Sequence, residues 1–132
     1  MNIEDPTSFF NLGLAYEGLG KSEHTLAAFK RAIALNPAYA SAHYNLGTLL
    51  LQRKDYQAAL APLTEAIRPN PQSSDACYNL AAVYAHVGVR AHAIEWLQKA
   101  IELNPALASE ANTDDDFQSL RSDPAFLALV QP

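Results

Sequence analysis

ASAHYNLGTLLLQRKDYQAALAPLTEAIRPNPQS, residues 40–73, is the middle one of three copies of a single pattern. Its closing Asn70-Pro71 recurs as Asn36-Pro37 and Asn104-Pro105, since 71 − 37 = 34 and 105 − 71 = 34. Asn11, Asn45 and Asn79 keep that step, as do Leu12, Leu46 and Leu80, and Ala32, Ala66 and Ala100. A period of this size marks a solenoid built from one small supersecondary unit. Solenoids work through extended surfaces rather than enclosed pockets, because each unit touches only its neighbours.

Inside each copy the apolar spacing is helical. Phe9, Leu12, Gly13 and Tyr16 fall at i, i+3, i+4 and i+7, one face of a helix. Gly20-Lys21 interrupts it, and a second stripe follows at Leu26, Phe29, Ala32 and Ile33. Asn36-Pro37 ends that stripe, because proline disfavours the helical conformation in the residue before it. Each unit is therefore a helix A, a short turn and a helix B. The units are expected at 6–39, 40–73 and 74–107, after a lead-in over 1–5 and before a C-terminal cap over 108–132. Nothing alternates with period two, so no strand is expected.

These residues resemble the tetratricopeptide repeat family. The first copy reads Phe9, Leu12-Gly13, Tyr16, Phe29, Ala32, Pro37. The second reads His43, Leu46-Gly47, Leu50, Ala59, Leu63, Ala66, Pro71, and the third Cys77, Leu80-Ala81, Tyr84, Ala93, Leu97, Ala100, Pro105. Thr25 stands where the family has a small alanine. His43 and Cys77 stand where it has a large aromatic, which predicts looser helix packing in the second and third units. The resemblance implies an all-α, right-handed α-solenoid of antiparallel helix pairs. Gly13, Gly47 and Ala81 are then the close-approach points between helices A and B.

Pro62 sits in the middle of the second helix B, in register with Ala28 and Trp96. A mid-helix proline removes a backbone hydrogen bond and costs about 3 kcal/mol. The expectation is a kinked but continuous helix with Pro62 on the convex side. Beyond Pro105 the repeat fades, but Leu107, Phe117, Leu120, Phe126, Leu127 and Val130 remain apolar. Asp123-Pro124 reads as an N-cap followed by a first-turn proline, and Asp5-Pro6 reads the same way at the start of the first unit. The tail is expected to form one or two short helices that cover helix B of the third unit. No separate N-terminal cap precedes the first unit, which also suits a piece of a longer array.

Composition narrows the function. Nine Lys and Arg against 14 Asp and Glu give a net charge of −5, and no basic run exceeds a pair. A stripe able to neutralise phosphates is missing, so neither nucleic acid nor an acidic membrane surface is an expected partner. The N-terminus lacks the basic and apolar regions of a signal peptide, and no apolar run reaches the roughly 20 residues of a membrane span. With one cysteine, Cys77, the chain reads as cytoplasmic.

No catalytic motif is present: no GxSxG, no P-loop and no ligand spacing among His24, His43, His86, His92 and Cys77. Asp114-Asp115-Asp116 lacks the ligand spacing of a calcium loop and reads as a solvated turn that starts a helix. No enzyme activity, cofactor or metal is expected.

The resemblance places helix A of each unit on a concave wall. The side chains expected to line it are Phe10, Asn11 and Leu14, then Tyr44, Asn45 and Thr48, then Tyr78, Asn79 and Ala82. Asparagines donate to and accept from an extended backbone, and aromatics give contact area at low entropic cost. The implied function is a protein–protein interaction module that holds a peptide or partner segment in the groove. The rival is a self-associating structural module, with Trp96 and Tyr56 as exposed apolar contacts. Relatives that clamp the acidic tails of heat-shock chaperones use Lys and Asn, then Asn, then Lys and Arg on these helices. The matching positions here are Phe10 and Leu14, Asn45, then Asp75 and Asn79. Only Asn45 agrees, and Asp75 repels a carboxylate.

Overall fold

The computed structural model describes residues 4–131. Most of the lead-in expected over 1–5, and Pro132 at the end of the cap, lie outside them. Six helices pair in order: α1 (Pro6–Gly18) with α2 (Ser22–Leu35), α3 (Ala40–Gln52) with α4 (Tyr56–Ile67), and α5 (Ser74–Val87) with α6 (Arg90–Leu103). Each pair packs along its length, and the pairs stack by α2 on α3 and α4 on α5. The described residues contain no strand. The tail adds α7 (Leu107–Thr113), a 3-10 turn over Asp115–Leu120 and α8 (Pro124–Val130).

The turn inside each pair repeats to the atom. Lys21 N–H donates to the Tyr16 carbonyl at 3.0 Å, Asp55 to Leu50 at 2.8 Å and Val89 to Tyr84 at 3.0 Å. This six-to-one bond needs a left-handed residue just after helix A. Gly20 (φ 73°) and Gly88 (φ 86°) supply it cheaply, while Lys54 supplies it at φ 65° with a Cβ in place. The turn between pairs is built on asparagine. Asn36 and Asn104 adopt extended backbone before their prolines, and each side chain accepts from the amide two residues on at 3.3 Å.

Small residues set the spacing within pairs. A Cβ on Gly13 would lie 2.5 Å from the Phe29 ring, and one on Gly47 2.5 Å from Leu63. Phe29, Leu63 and Leu97, with Ala32, Ala59, Ala93 and Ala100, are buried and form the axis of the core. His43 and Cys77 are buried beside them, and the His43 ring donates through Nε2 to the Pro37 carbonyl at 2.8 Å. Burial pushes the Cys77 thiol up, partly offset by the charge of Lys99, which makes it a poor nucleophile at neutral pH.

Helix α4 is continuous through Pro62, but Pro62 is buried rather than on an open convex side. The helix ends early, at Ile67. Pro69 stands in register with Leu35 and Leu103, the last residues of α2 and α6, and the helix stops two residues short of that position, since 69 − 67 = 2. Both expected proline starts form: Asp5 accepts from Thr7 N–H at 2.9 Å, and Asp123 from Ala125 N–H at 2.8 Å.

Two expectations about the ends are corrected. Leu12, placed on the packing face, is 42% exposed, whereas Leu46 and Leu80 in the same register are buried under α2 and α4. No helix precedes α1 among the described residues to cover it. The tail covers more than helix B of the third unit: α7 and α8 pack on α6, but the 3-10 turn crosses α5. Leu107, Phe117, Leu120, Phe126 and Val130 are buried there, and Leu127 is half-buried.

Candidate interaction groove

Helices α1, α3 and α5 are the ones expected to form the inner wall, and α3 touches α5. Two hollows lie along this wall and meet at Tyr44, which lines both. The first, about 380 Å³, is bounded by Phe10, Ser41, Tyr44, Asn45, Asn70, Ser73 and Asp75. The second, about 560 Å³, is bounded by Tyr44, Thr48, Gln52, Lys54, Tyr56, Asn79 and Asp116.

The side chains of this wall are not equally free. The Tyr44 hydroxyl accepts from Asn79 Nδ2 at 3.3 Å, which leaves its own proton available to a carbonyl. Burial raises the Tyr44 pKa, and the charge of Asp75 adds to this against the Asn79 bond. Tyr44 is therefore a donor, not a phenolate, at neutral pH. The Asn45 side chain has no hydrogen-bond partner among the described residues. Thr48 spends its hydroxyl on the Asn45 carbonyl at 3.0 Å. Phe10 is half-buried, with its ring 5.2 Å from Tyr39 and 5.7 Å from Phe29. Asn11 and Leu14 are exposed and line neither hollow.

Tyr78 and Ala82 do not face an open groove, which corrects the expected third set. The 3-10 turn buries both, at 7% and 1% exposure. Phe117 packs its ring against Tyr78 edge-on at 5.3 Å, and the Tyr78 hydroxyl donates to Asp114 at 2.6 Å. Burial, that bond, and the charges of Asp114, Glu110 and Asp116 push Tyr78 above the ordinary tyrosine range. The acidic turn is thus only partly solvated: Asp114 holds Tyr78, and Asp116 pairs with His86 Nε2 at 2.8 Å. Tyr56, expected as an exposed contact, stacks on the His86 ring at 3.8 Å.

Asn70, Ser73, Lys54 and Asp116 line the hollows but carried no groove signal in the sequence. The first three lie in turns, where the helix-A register does not reach. Asp116 belongs to the tail, which has no repeat to align it. No cluster of three or more metal-ligating side chains occurs among the described residues, and no helix there is long and apolar enough to cross a membrane.

Stacked helix pairs with this turn chemistry define a helical repeat solenoid. Family models described as tetratricopeptide repeat match residues 10–74 and 74–107, and the chain belongs to the tetratricopeptide repeat family. No curated protein matches the chain. Among solved structures it is similar to MamA from Desulfovibrio magneticus RS-1, at 26% identity and a TM-score of 0.77, covering 95% of this chain and 73% of that one. A second MamA crystal structure gives 25% identity, a TM-score of 0.79, and coverage of 95% and 72%. YrrB, described as a TPR protein with an unusual peptide-binding site, gives 28% identity and a TM-score of 0.71. That match covers 83% of this chain and 58% of YrrB. The fold is that of a protein-interaction module.

Proposed function

We propose that this chain is a non-catalytic adaptor that holds an extended segment of a partner protein along the α1–α3–α5 wall. The observation that carries this reading is the pair at the centre of the wall. Tyr44, which lines both hollows, keeps a free hydroxyl proton, and Asn45, which lines the first, keeps a free amide. Together they can donate to and accept from a peptide backbone while the Tyr44 ring packs on a side chain. The likeness to YrrB supports the same reading. The groove runs from Phe10 to Asp116 and stops there, because the tail fills the wall of α5.

The test compares variants once a partner has been captured from the native lysate. Tyr44→Ala and Asn45→Ala should weaken binding, the tyrosine by about 2 kcal/mol, while Trp96→Ala on α6 should not. Loss with Trp96→Ala alone would move the partner to the convex side.

One observation favours a second reading, self-association. Leu12 and Leu19 are exposed at the α1 end, at 42% and 70%. The opposite end is capped, so stacking through α1 would close at two copies. Light scattering on the eluting protein separates the readings: a ligand-independent dimer abolished by Leu12→Asp supports self-association.

A further inference from the structure

We propose that the hollow between Phe10, Tyr44 and Asp75 is an anchor pocket for one basic side chain, arginine or lysine, of the segment held in the groove. The proposal rests on the groove reading and adds the chemistry of its ligand.

Asp75 is the one charged side chain lining this hollow among the described residues. It forms no ion pair and no hydrogen bond among them. Nor is it occupied as a helix cap, because Ser73 takes that role, accepting from Ala76 N–H at 3.2 Å. The rings of Phe10 and Tyr44 line the same space. A cation near an aromatic face gains from the ring quadrupole as well as from a carboxylate. The amide oxygens of Asn45 and Asn70, both free of partners, can accept the remaining N–H donors of a guanidinium. The volume, about 380 Å³, accommodates such a group. A ligand carboxylate would meet Asp75 with no cation on this lining to offset it. Lys54 lines the second hollow, which shares Tyr44 with this one, and not the first.

The experiment uses the full chain and short alanine–serine peptides, blocked at both ends, with a central arginine, citrulline or glutamate. Citrulline keeps the shape of arginine and removes the charge. Amide NMR spectra report which residues each peptide shifts. The arginine peptide should shift Tyr44, Asn45 and Asp75 and bind about tenfold tighter than the citrulline peptide. The glutamate peptide should not bind, and salt should weaken the arginine peptide alone. Asp75→Asn should reduce arginine to the citrulline level while resonances far from α5 stay in place, and Asp75→Glu should restore part of the difference. Equal binding of arginine and citrulline at Tyr44 and Asn45 overturns the basic anchor and leaves the groove reading standing. Shifts confined to α2, α4 or α6 overturn both. No shift with any peptide at millimolar concentration overturns the anchor.

Discussion

The Tyr78 hydroxyl donates to the Asp114 carboxylate at 2.6 Å, so the inner wall of the solenoid is tied to its own tail. Tyr78→Phe keeps the ring against Phe117 but leaves Asp114 Oδ2 without its partner, while Oδ1 still accepts from Asp116 N–H at 2.9 Å. The loss should be about 1–2 kcal/mol, measured by denaturant unfolding near neutral pH. The bond also sets a pH dependence. Folding raises the Tyr78 pKa, and the Tyr44 pKa moves the same way. Above about pH 10 the unfolded chain releases protons that the folded chain retains, so stability falls as pH rises. Tyr78→Phe should flatten that alkaline fall. An unchanged alkaline slope in the variant would show that Tyr78 is not its source.

Gly47 and Gly18 should respond oppositely to the same change. A Cβ at Gly47 would meet Leu63 Cγ at 2.5 Å and the Leu63 backbone N at 3.3 Å, and Leu63 is fully buried. Gly47→Ala should therefore cost about 1–3 kcal/mol by overpacking. A Cβ at Gly18 meets nothing within 4 Å. Gly18→Ala should be neutral or stabilise by up to about 1 kcal/mol through helix propensity. Thermal melts of both variants decide the matter.

What the sequence made legible is whatever the 34-residue period enforces. Gly13 against Phe29 and Gly47 against Leu63 follow from register, and so do the asparagine turns at Asn36 and Asn104. What escaped it has no periodic neighbour. Leu12 shares its register with Leu46 and Leu80, yet exposure depends on whether a helix precedes it. Tyr78 and Ala82 share theirs with Tyr44 and Thr48, yet the tail buries them. Pro69 shortens α4 by its own chemistry, against the register of Leu35 and Leu103. Asp75 was readable as an acid on the wall, but its place beside Phe10 and Tyr44 needed the third dimension.

Lys54 offers a test of stored backbone strain. It holds the left-handed position that Gly20 and Gly88 hold in the other two turns. A residue with a Cβ is disfavoured there by about 1–2 kcal/mol. Lys54→Gly should therefore stabilise the protein by about 1 kcal/mol despite removing a side chain. Lys54→Ala keeps the Cβ and should bring no gain. Equal effects of the two substitutions in chemical melts would show that the side chain, not the backbone, governs this turn.

The tail should prove both a cap and a wall. Phe117 is fully buried between Tyr78 and Phe126, with ring separations of 5.3 and 6.0 Å. Phe117→Ala should cost about 3–5 kcal/mol. That is a large part of the 5–15 kcal/mol typical of a whole domain. Ending the chain at Leu107 removes α7 beyond its first residue, the 3-10 turn and α8 together. It would open to water Tyr78, now 7% exposed and packed on Phe117, and the side of α6 that α7 and α8 cover. That apolar area, at about 25 cal/mol per Å², should lower stability by several kcal/mol and cause aggregation. Light scattering and the melting temperature of the shortened chain provide the measurement. A monomer with an unchanged melting temperature would mean that the tail neither caps α6 nor supports α5. In that case the groove would extend over the third helix pair, and Tyr78 would join Tyr44 on its floor.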